Sequence, residues 1–123
     1  MTRRIIIASL VAAAFAGGFA AAETSGKTGR EPQFQNAEVK VWKSVIMPHD
    51  PLPFHRHEHP RVIIALSGGT MQIVGQSGSR ETYDWQSNHA YWLPANPPGT
   101  QHQDVNVGDK PIEVMVVELQ KAN

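Results

Sequence analysis

From Glu38 to Leu119 the apolar residues come in short runs, each closed by Gly, Pro, Asn or Asp, and no stretch keeps a helical period. Glu38-Val-Lys-Val-Trp-Lys-Ser-Val-Ile-Met47 alternates apolar and polar residues over its first half, as a half-buried strand does. Arg61 to Leu66 is a β-branched run ended by Ser67-Gly68-Gly69, and Thr70 to Val74 follows as its hairpin partner. Gly75 to Ser79 is a further turn, after which Glu81–Trp85, Ala90–Leu93, Thr100–Val105 and Pro111–Leu119 complete the strands. Many short strands at regular turn spacing predict an all-β single domain, a sandwich or barrel of about six to eight strands.

The N-terminus addresses the compartment. Arg3 and Arg4 precede an apolar run from Ile5 to Phe15, and Ala20-Ala21-Ala22 supplies small residues of the kind signal peptidase cleaves after. This order predicts a secretory signal peptide over residues 1–22 and a periplasmic mature protein, free of the membrane after cleavage. The apolar run is short for a span of ~20 residues and is broken by Gly17 and Gly18. Residues 23–36 lack a hydrophobic period and read as a flexible leader, which leaves 37–123 as the β domain. Cleavage removes Arg3 and Arg4 from a chain with 11 basic and 11 acidic residues, so the mature protein is slightly acidic and has no basic patch for nucleic acid. There are no cysteines, which excludes thiolate chemistry and leaves the fold to stand on its core.

Pro51-Leu-Pro-Phe-His-Arg-His-Glu-His-Pro60 carries the chemistry. In an extended segment the side chains at i and i+2 share a face, so His55 and His57 present two imidazoles to one side. Two neutral imidazoles side by side are half of a transition-metal site. A third histidine, His102, follows a Pro/Gly-rich stretch and opens His102-Gln-Asp-Val-Asn106.

These residues resemble the two motifs of the cupin superfamily, G-x5-H-x-H-x3,4-E-x6-G and G-x5-P-x-G-x2-H-x3-N. His55, His57 and Gly68 follow the first; Asn88, Pro94, His102 and Asn106 follow the second, with about three extra residues within Pro97-Pro98-Gly99-Thr100. Asn88 stands where the second motif opens with glycine, and Asp50 is taken as the opening position of the first. The resemblance covers about residues 37 to 119. It implies a cupin-type jelly-roll β-barrel, a homodimer, and a divalent transition metal (Fe, Mn, Ni, Zn or Cu) held by His55, His57 and His102. Metal affinity is then expected to fall below about pH 6.5, as the imidazoles protonate.

The glutamate position of the first motif holds Arg61, a permanent cation. Three readings stay open: a three-histidine metal site with Arg61 gripping a ligand carboxylate, a metal-free anion pocket, or His59 as the replacement ligand. A metal held by neutral imidazoles keeps its charge and leaves positions open, as catalytic sites do. The function expected is a small oxygenase or isomerase acting on a carboxylate-bearing metabolite, or a non-catalytic periplasmic module that binds or senses a small ligand or metal. Of the remaining residues, Glu58 reads as solvated, His49 and His89 as surface, and Asn106 as a turn or hydrogen-bonding residue. Trp42, Trp85, Trp92, Tyr83 and Tyr91 read as core and barrel wall, and Met47, Met71 and Met115 as core fillers.

Overall fold

The computed structural model describes residues 26–121; the predicted signal peptide over 1–22 lies outside them. Among the described residues there are eight strands and no helix. They are β1 (Gly29–Gln35), β2 (Val39–Ile46), β3 (Arg61–Ser67), β4 (Gly69–Gly75), β5 (Arg80–Trp85), β6 (Ala90–Leu93), β7 (His102–Asn106) and β8 (Ile112–Leu119). One sheet has the order β1-β2-β8-β3-β6 and the other β5-β4-β7, with every pairing antiparallel. Alternation sets which side chains meet between them: Ile63 and Ala65 on β3 and Ile112, Val114 and Val116 on β8 are buried, and their neighbours are not. They pack with Trp42, Ile46, Met71, Trp85 and Leu93 into one core drawn from both sheets.

The segment expected to be a flexible leader contributes a strand from Gly29 on, paired to β2 from Gly29↔Val45 to Gln35↔Lys40. It escapes a periodicity reading because β1 is an edge strand whose residues are nearly all exposed, so neither face demands apolar side chains. Pro32 is tolerated there because an edge strand has one side free of ladder bonds. The register slips between Pro32 and Phe34. A second departure concerns Trp92, expected in the barrel wall: it is 57% exposed on the five-stranded sheet, opposite Val62 of β3, the strand that also carries the exposed Ile64 and Leu66. Met71 is fully buried as expected, whereas Met47 and Met115 are only partly so.

The turns explain two motif positions. Asn88 takes φ 69°, a left-handed conformation in which glycine is unstrained and asparagine is the next-best residue. The corresponding residue of the first motif is His49, at φ 56°, and not Asp50; five residues separate His49 from His55. Gly68 is required by close approach, because a β-carbon there would collide with the Trp85 carbonyl. Asn106 is fully buried and holds a turn: Nδ2 donates to the Ile46 and Lys110 carbonyls at 2.9 and 2.7 Å, and Oδ1 accepts from Gly108 N–H at 2.9 Å.

Candidate metal centre

The histidine segment is not a regular strand. Only His55 pairs, through a single antiparallel bridge to His102: His55 N–H donates to His102 O at 2.9 Å and His102 N–H to His55 O at 2.8 Å. Prolines on both sides interrupt any longer ladder. The rest of the segment is fastened to the 94–100 loop instead. His57 N–H donates to Asn96 Oδ1 at 2.5 Å, Asn96 N–H donates to His57 O at 2.9 Å, and Arg56 donates to the Pro97 and Thr100 carbonyls. Arg56 also pairs with Glu58, which is exposed, as expected.

This clamp brings His55, His57 and His102 together. One ring nitrogen from each falls in a group whose members lie within 4.8 Å of one another, and the ring centroids are 4.6 to 5.4 Å apart. Neither His59 nor the exposed His49 and His89 joins this group, so the His59 reading finds no support among the described residues. His57 and His102 are buried at 5% exposure each.

The donor set fits a transition metal. His55 Nδ1–H donates to Pro53 O at 2.7 Å, and His57 Nδ1–H to Glu118 Oε2 at 3.0 Å. Each bond fixes the tautomer that turns an Nε2 lone pair inward, the carboxylate-histidine arrangement that supports metal ligands. The buried Nε2 atoms of His55 and His102 have no hydrogen-bond partner. Asn96 Nδ2 lies 3.2 Å from His102 Nδ1. Its Oδ1 is already taken by His57 N–H, so Asn96 donates here, and ligation through His102 Nε2 requires this amide to turn or shift.

Electrostatics favour the neutral form of two of the imidazoles, His57 and His102. Burial lowers the His57 pKa, with Arg61 and His55 adding to the effect against the opposing pull of Glu118. Burial, then His55, His57, Arg61 and Arg30, push His102 down to about 3. Glu118 is desolvated, yet the hydrogen bond from His57 and the charge of Arg61 hold it below the usual carboxylate range. At His57 and His102 the fold therefore favours the deprotonated form at a lower pH than a free imidazole.

That protection has a stability cost with a definite sign. An unfolded histidine takes up a proton near pH 6.5 and the native His102 does not, so stability falls as pH drops through the window from 6.5 toward 3. Metal-free protein is expected to lose about 2 kcal/mol between pH 7.5 and 5 through His102 alone. Urea unfolding at the two pH values measures it, and His102→Gln should remove that share. Equal pH dependence in both proteins would show that His102 is not held neutral.

Arg61 begins β3 and its side chain points inward at 4% exposure, where Nη1 donates to Pro94 O at 3.1 Å. Burial weighs against its charge, and Asp104 and Glu118 support it. Arg61, His57, Asp104, Arg30, Trp42 and Trp85 line an interior cavity of about 20 Å³, room for roughly one water. A larger groove of about 430 Å³ opens on the His102 side, lined by Asn96, Thr100, Gln76, Ser79 and Glu81. Ile73 lines both spaces. Sequence reasoning missed Glu118 and Asp104. Only the sheet register, with Arg61 opposite Glu118, reveals the first; the i+2 spacing from His102 could have revealed the second.

No protein-family model matches the sequence, and no curated relative does. Solved structures do resemble it. A cupin domain protein from Bordetella pertussis Tohama I superposes with a TM-score of 0.66 at 23% identity, covering 77% of this chain and 94% of that one. An RmlC-like cupin with a double-stranded β-helix from Methanocaldococcus jannaschii gives 0.60 at 16% identity, covering 76% and 81%. A Cupin 2 conserved barrel domain protein from Salinispora arenicola gives 0.54 at 23% identity, covering 76% of each. Likeness at these identities concerns architecture, and it agrees with the two facing antiparallel sheets: the chain has the double-stranded β-helix fold of the cupin superfamily.

Proposed function

We propose that this is an exported metal-dependent protein in which His55, His57 and His102 hold one divalent transition metal. The observation that carries the reading is the convergence of three buried or half-buried imidazoles, two of which, His55 and His102, carry buried Nε2 atoms with no hydrogen-bond partner. When bound, the metal would supply Lewis acidity and coordination positions open to a small ligand. The groove beside His102 is the entry side, and the substrate class is a small carboxylate-bearing metabolite, processed by an oxygenase or isomerase reaction. Arg61 is the cation available to an anionic group small enough to enter the interior cavity.

The 20 Å³ of space inside favours a second reading, a non-catalytic periplasmic module that binds or senses the metal itself. Azide added to the cobalt-loaded protein separates the two. A shift of the visible spectrum reveals an exchangeable position and favours the enzyme; an unchanged spectrum favours the sensor.

The outer face of the five-stranded sheet supports a homodimer. Trp92 on β6 and Leu66 and Ile64 on the adjacent β3 are 57, 43 and 36% exposed, and a second copy would cover them. One preparation tests the whole proposal. Protein purified from the periplasmic fraction without chelator or a nickel column is expected to begin at Glu23, contain about one transition ion per chain and run at twice the chain mass. A metal-free preparation that takes up no added ion would remove the metal reading. A cytoplasmic product retaining Met1 would remove export, and a monomer would remove the dimer.

A further inference from the structure

The carboxylate that the first motif lacks at Arg61 has a counterpart on another strand. On β7, Asp104 follows His102 by two residues and so shares its face of the sheet. Asp104 Oδ2 lies 3.6 Å from His55 Nε2, and Asp104 Oδ1 lies 3.6 Å from His102 Nε2. Those are the two buried nitrogens without a partner. A separation of 3.6 Å is too long for an N–H···O hydrogen bond, which spans about 2.7–3.2 Å. It is close to the roughly 3.4 Å edge between two ligands of one ion held tetrahedrally at about 2.1 Å. The side chain is only 17% exposed and lines the interior cavity with His57 and Arg61. Charge points the same way. A carboxylate offsets a dication held among neutral imidazoles with Arg30 and Arg61 nearby, and Asp104 lies beside two of the three histidines, although it stands outside the 4.8 Å group that the three form by themselves.

We propose that Asp104 is the fourth protein ligand, so that the metal is held by three histidines and an aspartate supplied from β7 while Arg61 occupies the motif's glutamate position, and a position open to a small ligand then requires a coordination number above four. This rests on the three-histidine reading, and the test is arranged to separate the two. Cobalt(II) is titrated into the chelator-treated wild-type protein and into Asp104→Asn and Asp104→Glu, with affinity and the visible spectrum as readouts. Asparagine keeps the shape but loses the charge and is a poor ligand. Its cobalt affinity is expected to fall at least about 10-fold with an altered spectrum. Glutamate should keep most of the affinity and change the spectrum, because its longer arm alters the ligand geometry. An aspartate acting only as counter-ion to Arg61 and Arg30 would leave both variant spectra at wild type, and that result overturns the proposal. Should Asp104→Asn fail to fold, the glutamate spectrum alone decides. Wild-type protein that binds no cobalt would overturn the three-histidine reading and this one together, whereas wild-type binding with unaltered variants overturns this one alone.

Discussion

Replacing His57 by alanine is expected to lower metal affinity by more than about 100-fold, the largest single loss in the site. Three observations converge on this residue. Its ring is buried, its Nδ1–H is bound to Glu118 so that Nε2 faces inward, and its backbone is fixed on both sides to Asn96. The same substitution leaves the Glu118 carboxylate, whose side chain is 13% exposed, without its hydrogen bond. It also takes away the imidazole stacked 6.0 Å from Trp42, so stability should fall by about 1–3 kcal/mol even without metal. Metal content and urea unfolding, measured on the same samples, separate the two effects. His49→Ala and His89→Ala serve as controls, since both residues are exposed and outside the cluster. Metal occupancy in His57→Ala equal to that of the controls would rule this site out.

The parts of the molecule legible in the sequence are those where one face is buried and the other is not. β2 announced itself through alternation over its first half and β3 through a β-branched run closed by a Ser-Gly-Gly turn, and burial alternates along β3 and the first five residues of β8. The edge strand β1 carries no such record, because both its faces meet solvent and its place is set by backbone bonds to β2. The three histidines were legible because local spacing and a family resemblance marked them. Their supporting residues were harder to see. Glu118 lies 61 positions from His57 and reads as one polar residue in a valine-rich strand until β8 is placed beside β3. Asp104 was visible beside His102, but its role depends on the bridge that carries His55 to the other side of the same carboxylate.

Arg61→Glu should move metal and anion binding in opposite directions. The native guanidinium is buried and lowers the pKa values of His57 and His102, which shows that its field reaches the imidazoles where a dication would sit. Exchanging it for a carboxylate removes a repulsion and adds an attraction, so metal affinity should rise at least about 10-fold. Without metal, the new carboxylate would join Asp104 and Glu118 with no cation from position 61 between them. The metal-free variant should therefore be less stable than wild type and recover more on loading. Formate, the smallest carboxylate, is the probe for the second effect, and its entry requires an interior cavity that holds about one water to widen. Any formate binding by the wild type should disappear in Arg61→Glu and weaken in Arg61→Gln, which loses the charge without reversing it. Calorimetric titration with zinc and with formate gives both numbers. Tighter zinc binding with lost formate binding assigns Arg61 to the ligand. If zinc tightens and the wild type never binds formate, Arg61 serves only to balance Asp104 and Glu118, and the anionic-substrate reading fails. Unchanged zinc affinity would mean that the metal does not sit within the field of Arg61, and the three-histidine centre would have to be abandoned.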